Sequence, residues 1–169
     1  SYFKFVVYSL RFAFKAEGLD YKRFTLPSIK RDKKLPVILS REEMRRLLRA
    51  PALLKHRLLI GLLYGCGLRC MEVRSIHIRD LDLDRRLLHV RKGKGRKDRY
   101  VPLGDLLCRG VRSYLEAENP QTFLFNGKPE GRKGGDFDSR YSQRGVQWAV
   151  QQAAKAAGIK KDISVHTLR

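Results

Sequence analysis

One short stretch in the middle of the chain, residues 81–103, carries the only clear β pattern and constrains the fold most. Its candidate strands are Leu81–Leu83, Leu87–Val90 and Arg99–Leu103. Short connections of this kind favour antiparallel pairing, and Pro102 places the last strand at a sheet edge because proline lacks an N–H group. The flanking sequence is helical in pattern. We therefore predict a mainly α fold with a small antiparallel β-sheet, an α+β architecture.

Helical patterning surrounds this β region on both sides. Residues 2–16 carry apolar side chains at helical spacing, and Gly18 is a plausible end of that helix. Ser40 and Glu43 form a capping-box pattern at the start of a second helix. Further helices are predicted over residues 52–64, which are apolar on most sides and therefore central, and over residues 71–76, 105–118 and 141–157, with Gly158 closing the last.

The composition points to a polyanionic partner. Lys and Arg total 37 against 17 Asp and Glu, which gives a formal charge of +20. Nucleic acid suits this excess because each neutralised phosphate releases counterions. Three alternatives stay open at this point: an acidic protein as the partner, an anionic membrane surface as the partner, or a merely basic surface without such a partner. No apolar run is long enough to cross a membrane, and no signal peptide is evident at the start.

The three cysteines, Cys66, Cys70 and Cys108, predict small buried thiols in a reducing cytoplasm. Cys66 and Cys70 have CxxxC spacing, but no second Cys or His pair completes a zinc site.

Three groups of residues could carry chemistry. Arg69 follows a glycine-broken helix end, and Glu72 three residues later could hold it, although such pairs are usually surface ion pairs. His166 and Arg169 would share a face of a helix that begins near His166, and a His beside an Arg suits an anionic transition state. The third group is the basic hairpin tip from Arg91 to Arg99.

The hairpin tip is predicted to contact DNA. Six of its nine residues are basic, and glycines on both sides of Lys94 would let the tip approach a duplex closely. A solvated charged face is the plain alternative. The residues that we predict to bind DNA lie in the hairpin and in the basic linker before residue 38: Arg91, Lys92, Arg96, Lys97, Arg99, Lys30, Arg31, Lys33 and Lys34.

Four short motifs, taken in their order along the chain, resemble the catalytic domain of the tyrosine recombinase (phage integrase) family. They are Leu39-Ser40-Arg41-Glu42-Glu43, Gly67-Leu68-Arg69-Cys70-Met71-Glu72, the hairpin from Gly93 to Leu103, and His166-Thr167-Leu168-Arg169. The resemblance covers residues 39–169 and implies that this region is the recombinase catalytic domain. Residues 1–38 fit the end of the family's N-terminal core-binding domain and a basic linker. In the family fold, this catalytic domain would be incomplete at its C-terminus.

The resemblance implies a site-specific recombinase that breaks and rejoins double-stranded DNA through a 3′-phosphotyrosine intermediate. Its catalytic residues would be Arg69, Lys94, His166 and Arg169, with Glu72 in support. One phosphoester replaces another, so neither ATP nor a metal ion is required, and no cofactor is expected. The resemblance also implies further recombinase protomers in a synaptic tetramer on DNA, no membrane association, and a bacterial or phage-type cytoplasmic location.

The sequence departs from the family in two ways. Met71 stands where the family usually has a small residue and could crowd the arginine helix. The attacking tyrosine follows the His-x-x-Arg box in the family, so none of the printed tyrosines matches it, and we expect these residues alone to be inactive. A non-catalytic DNA-binding remnant or regulator is therefore the alternative. A metal-dependent nuclease would need a carboxylate cluster, for which Asp80, Asp82 and Asp84 on one strand face are weak candidates.

Overall fold

The computed structural model describes residues 2–19, 35–91, 93, 97–127 and 139–169. The chain divides into two compact units, Ser1–Leu35 and Pro36–Arg169. The first unit contains helix α1 (Tyr2–Ala16), as predicted, and Gly18 with φ of 69° follows its end. Several large apolar side chains of α1 are exposed, including Phe5 and Phe12. That this unit ends a core-binding domain stays a prediction.

The second unit is mostly helical, as predicted. Its helices and strands are α2 (Arg41–Arg49), α3 (Leu54–Gly65), α4 (Cys70–Arg74), a 3-10 turn (Ile78–Asp80), β1 (Leu81–Asp82), β2 (Leu87–Val90), β3 (Arg99–Pro102), α5 (Asp105–Glu118), α6 (Gln143–Ala156) and a last 3-10 turn (Val165–Leu168). Among the described residues, no helix combines the length and apolar character that a membrane span requires.

The three strands form one antiparallel sheet in the order β1-β2-β3, which confirms the predicted sheet. Leu88 lies between Leu81 and Val101 in the register. Leu88 and Val90 on β2 are buried, so one face of the sheet packs on the core. Pro102 is the last residue of β3 and lies opposite Leu87.

Helix α2 begins where its sequence predicts. The Ser40 hydroxyl accepts a hydrogen bond from the Glu43 N–H (3.1 Å), and the Glu43 carboxylate accepts one from the Ser40 N–H (2.7 Å). This reciprocal pair satisfies two backbone donors that a helix start leaves without partners. The capping box of Ser40 and Glu43 therefore sets the first residue of α2.

Helix α3 is the central element of the core. Leu58, Leu59, Ile60, Leu62 and Leu63 are all buried, and each such side chain contributes about 1.5–3 kcal/mol when it leaves water. The helix packs against α2, α4, α5, α6 and the last 3-10 turn. Because α4 and this turn rest on the same rigid helix, α3 fixes where the arginines on both of them lie.

Several local expectations need correction. The helix after Arg69 begins at Cys70 and ends at Arg74, rather than covering residues 71–76. Only Asp82 of the three aspartates lies in a strand, because Asp80 belongs to the preceding 3-10 turn and Asp84 to the turn after β1. Met71 does not crowd the helix, since its side chain is 49% exposed. The predicted loop over residues 126–136 lies largely outside the described residues.

The three cysteines are free and buried, as predicted. Burial raises the pKa of Cys66 to about 11, because a thiolate loses solvation in an apolar environment. This thiol is therefore protonated at neutral pH.

Candidate active site

Arg69 lies at a tight turn between two helices. Gly67, which follows the end of α3, has φ of 58°, a left-handed conformation that favours glycine. Arg69 then takes the extended N-cap position of α4. Its side chain is 29% exposed, so the guanidinium is held at the protein surface but is not freely solvated.

Glu72 fixes Arg69 through both of its carboxylate oxygens. The Arg69 backbone N–H donates to Oε2 (2.8 Å), and the Arg69 Nη1 donates to Oε1 (2.9 Å). The Glu72 side chain is only 6% exposed. The same carboxylate therefore caps helix α4 and orients the arginine, which is the role that its three-residue spacing predicted.

The same carboxylate also binds a second arginine from the hairpin. Arg99, the first residue of β3, donates from Nη1 to Oε1 (2.9 Å) and from Nη2 to Oε2 (2.8 Å). This two-point geometry is the strong form of an arginine–carboxylate pair. Arg69, Glu72 and Arg99, which we call the arginine–glutamate cluster, thus join helix α4 to the base of the hairpin and carry a net charge of +1.

The cluster strongly favours the ionised form of Glu72. Hydrogen bonds from Arg99 first, and then from Arg69, lower the pKa of Glu72 to about 2 against the opposing effect of burial. The Glu72 carboxylate in turn raises the pKa of Arg99. The cluster is therefore fully charged at neutral pH.

Gly93 brings the other side of the hairpin onto this cluster. Its N–H donates to the Lys97 carbonyl (3.0 Å) and closes the base of the hairpin. A methyl group at Gly93 would lie 2.8 Å from the Arg99 Nη1, 3.0 Å from the Lys97 carbonyl oxygen and 3.2 Å from the Glu72 Oε1. Only a residue without a side chain fits here, so the backbone next to the predicted catalytic Lys94 lies against the cluster.

The last 3-10 turn lies close to the glycine that precedes Arg69. Buried Val165 and Leu168 anchor the turn Val165–Leu168, and this turn packs on α3 and α6. A methyl group at Gly67 would lie 4.0 Å from the Arg169 Cγ. The structure thus brings the side chain of Arg169 against the turn that positions Arg69.

His166 is exposed on the same 3-10 turn. Its carbonyl accepts a hydrogen bond from the Arg169 N–H (3.4 Å). The turn is a 3-10 helix rather than the predicted start of an α-helix. Convergence of the His166 side chain with Arg69 stays a prediction.

The predicted DNA-binding residues differ in their exposure and in their ion pairs. Lys97 is exposed. Arg91 and Arg99 are ion-paired instead of free, Arg91 through its Nε to Asp80 Oδ1 (2.6 Å). Lys94, which the resemblance predicts to be catalytic, lies outside the described residues, as do the DNA-binding candidates Lys92, Arg96, Lys30, Arg31, Lys33 and Lys34.

Two long-range contacts near the site were not predicted from the sequence. In the sequence, Arg99 is only the last charge of the basic run from Arg91 to Arg99, but in the structure it binds the Glu72 carboxylate, 27 residues away. Arg74 is buried, and its Nε donates to the Tyr141 carbonyl (2.7 Å) just before α6. Its position five residues after Arg69 gave no signal of this contact, because only the folded chain brings residue 141 there.

Comparison with known proteins adds to this geometry. A family model described as the phage integrase family matches residues 37–169. The tyrosine recombinase XerA of Thermococcus kodakarensis is 38% identical over 167 residues, which are 97% of this chain and 57% of that protein. The chain thus spans little more than half the length of this relative.

Solved structures share the fold. A crystal structure of XerA recombinase superposes with a TM-score of 0.70 at 26% identity and covers 96% of this chain and 56% of its own. The XerH site-specific recombinase, solved with a palindromic difH substrate, gives a TM-score of 0.67 at 23% identity and covers 86% of this chain and 42% of its own. At that identity, the second likeness concerns the fold alone.

Proposed function

The chain belongs to the phage integrase family, and from this premise we propose that it is part of a site-specific recombinase that breaks and rejoins double-stranded DNA. The observation that carries the proposal is the arginine–glutamate cluster, with Arg169 beside the turn of Arg69. Arginines gathered from separate parts of the chain suit a phosphodiester, which carries one negative charge in the ground state and more in the transition state.

The proposed reaction is a pair of phosphoester exchanges. A tyrosine hydroxyl attacks the scissile phosphorus, a 3′-phosphotyrosine bond forms, and the bond to the 5′-oxygen breaks. A 5′-hydroxyl later attacks the phosphotyrosine and releases the tyrosine. Each step exchanges one phosphoester for another, so no ATP is consumed and no cofactor is required.

We assign roles to the residues according to their chemistry. Arg69 and Arg169 bind the non-bridging oxygens, where negative charge grows as phosphorus becomes five-coordinate. Lys94 protonates the departing 5′-oxygen, because an alkoxide is a poor leaving group, and His166 hydrogen-bonds the phosphate or assists the proton transfer.

Glu72 and Arg99 act as positioning residues. Glu72 prevents Arg69 from rotating away from the phosphate, and Arg99 holds Glu72 from the opposite side. Since Arg99 also begins the strand after the hairpin, the same ion pair fixes the base of the loop that carries Lys94. Fixed geometry of this kind supplies much of the rate of such reactions.

The proposed partners are double-stranded DNA and further recombinase protomers, arranged as a synaptic tetramer on the DNA. The formal charge of +20 supports the first partner. Residues 1–38 would end the core-binding domain and supply a basic linker along the phosphates, and the proposed location is a bacterial or phage-type cytoplasm.

Binding to duplex DNA tests this proposal through its salt dependence. We expect the chain to bind unrelated duplexes with similar affinity, and the affinity to fall steeply as salt rises. Replacing Arg96 and Lys97 together with glutamine is expected to reduce the slope of log affinity against log salt by up to about 1.8, because each lost phosphate contact removes about 0.9. Fluorescence anisotropy at several salt concentrations measures both quantities.

A double replacement away from the hairpin provides the control. Lys155 and Lys160 are exposed at and beyond the end of α6, and their replacement with glutamine removes the same charge. We expect this variant to keep most of the original slope. Absence of duplex binding by the unchanged chain at low salt would contradict the proposed function, and equal slope losses in both variants would contradict the role of the hairpin.

A further inference from the structure

A basic cleft of about 630 Å³ opens beside the arginine–glutamate cluster. Glu72 forms part of its wall. The cleft is therefore one side chain away from Arg69. Its other lining residues, which with Glu72 we call the arginine cleft, are Met71, Ser75, His77, Arg79, Arg91, Phe123 and Arg140.

The three arginines are held in place by different contacts. Arg91 donates from Nε to Asp80, whose side chain is 2% exposed. Arg140 donates to the Ser75 hydroxyl (3.4 Å), and its guanidinium lies 5.9 Å from the centre of the Phe123 ring. Arg79 is exposed and forms no ion pair with any residue that the structure describes. The lining of this concavity thus contains three guanidiniums and one carboxylate, that of Glu72.

The guanidiniums of the cleft suit the oxygens of a phosphate. The guanidiniums only donate hydrogen bonds. The nearby carboxylates are already engaged, Glu72 by Arg69 and Arg99, and Asp80 by Arg91. Phosphate oxygens accept hydrogen bonds and carry negative charge, so cationic donors suit them.

The apolar part of the cleft suits a deoxyribose. Met71 is 49% exposed, and Phe123 also lines the cleft. A nucleic-acid backbone alternates charged phosphates with largely apolar sugar faces. The arginine cleft presents both chemistries within one concavity.

We propose that the arginine cleft binds the sugar-phosphate backbone of the DNA strand next to the phosphate held at Arg69. This inference rests on the proposed function, because it takes the ligand at Arg69 to be DNA. It assigns a binding role to Arg79 and Arg140, which lie outside the catalytic motifs. The contact would set the register of the strand without reading its sequence.

The salt dependence of duplex binding tests the cleft in the chain as it is. We expect Arg79→Gln to reduce the slope of log affinity against log salt by about 0.9, the value for one phosphate contact, and Arg79→Gln with Arg140→Gln to reduce it further. The loss of affinity should be equal on two duplexes of unrelated sequence, since backbone contacts carry no sequence information. Matching thermal unfolding temperatures verify that each variant folds.

Arg109→Gln supplies the matched control. Arg109 is exposed on α5, in a depression that also contains Arg86 and Asp105, beyond the opposite end of strand β2 from Arg91. We expect its slope to equal that of the unchanged chain. An unchanged slope in Arg79→Gln, or an equal loss of slope in Arg109→Gln, would overturn the proposed binding role of the arginine cleft while leaving the proposed function intact. Failure of the unchanged chain to bind duplex DNA would overturn both.

Discussion

Replacing Glu72 with glutamine is expected to lower the free energy of unfolding at pH 7 by about 3 kcal/mol. The pKa of Glu72 falls from an ordinary value of 4.5 to about 2 in the folded protein, and one unit corresponds to about 1.4 kcal/mol. Because the folded pKa is lowered, this contribution is fully present above about pH 5 and is lost as pH falls towards 2. Glutamine also leaves two guanidiniums without their shared carboxylate.

Urea denaturation at several pH values between 7 and 3 measures this effect. The unchanged chain should lose stability through that range, and Glu72→Gln should lose about 2 kcal/mol less over it, because the rest of the Glu72 contribution is lost only below pH 3. Glu42→Gln is the matched control, since the Glu42 side chain is 69% exposed and pairs of this kind are worth little. Parallel pH curves for the unchanged chain and Glu72→Gln would show that the cluster does not hold an ionised, buried carboxylate.

Gly93→Ala is expected to destabilise the fold by about 1–3 kcal/mol, the usual range when atoms are forced into filled space. The methyl group would lie 2.8 Å from the Arg99 Nη1, and this guanidinium is not free to move because both of its terminal nitrogens bind buried Glu72. The substitution must therefore displace either the arginine or the base of the hairpin. The loss should shrink in the Glu72→Gln background, where Arg99 is less strongly held.

Gly110→Ala provides a control of opposite sign. Gly110 lies within α5, and its methyl group would sit 3.5 Å from the Leu58 Cδ1, an ordinary contact. Alanine in a helix at a site with room stabilises by about 0.4–1 kcal/mol. Thermal unfolding of both variants measures the difference. A neutral Gly93→Ala would mean that the hairpin does not press against the cluster.

Local patterns were enough to predict most of the fold. The capping box at Ser40 placed α2, the apolar run of α3 identified the central helix, and the spacing of short strands gave the antiparallel sheet. Each of these features depends on neighbours within a few residues of the chain. The short 3-10 turns were missed because their sequences differ little from those of helix starts and strands.

The site was only partly predictable for the same reason. Arg69 with Glu72 is a contact over three residues and was foreseen. Arg99 with Glu72 spans 27 residues, and in the sequence Arg99 looks like one more charge in a basic run. Arg169 near Gly67 depends on the packing of the last turn against α3. Such contacts are set by the tertiary structure. The sequence therefore predicts which residues belong to the site but not which residues they contact.

The proposed mechanism requires that Arg69 and Arg169 bind the same phosphate. The salt dependence of duplex binding by Arg69→Gln, Arg169→Gln and the double variant tests this requirement. The slope counts neutralised phosphates at about 0.9 each. If one phosphate is shared, either single variant leaves it neutralised and nearly preserves the slope, and the double variant lowers the slope by about 0.9. If each single variant lowers the slope by about 0.9 and the double variant lowers it by about 1.8, the two arginines bind different phosphates, which would contradict the proposed mechanism.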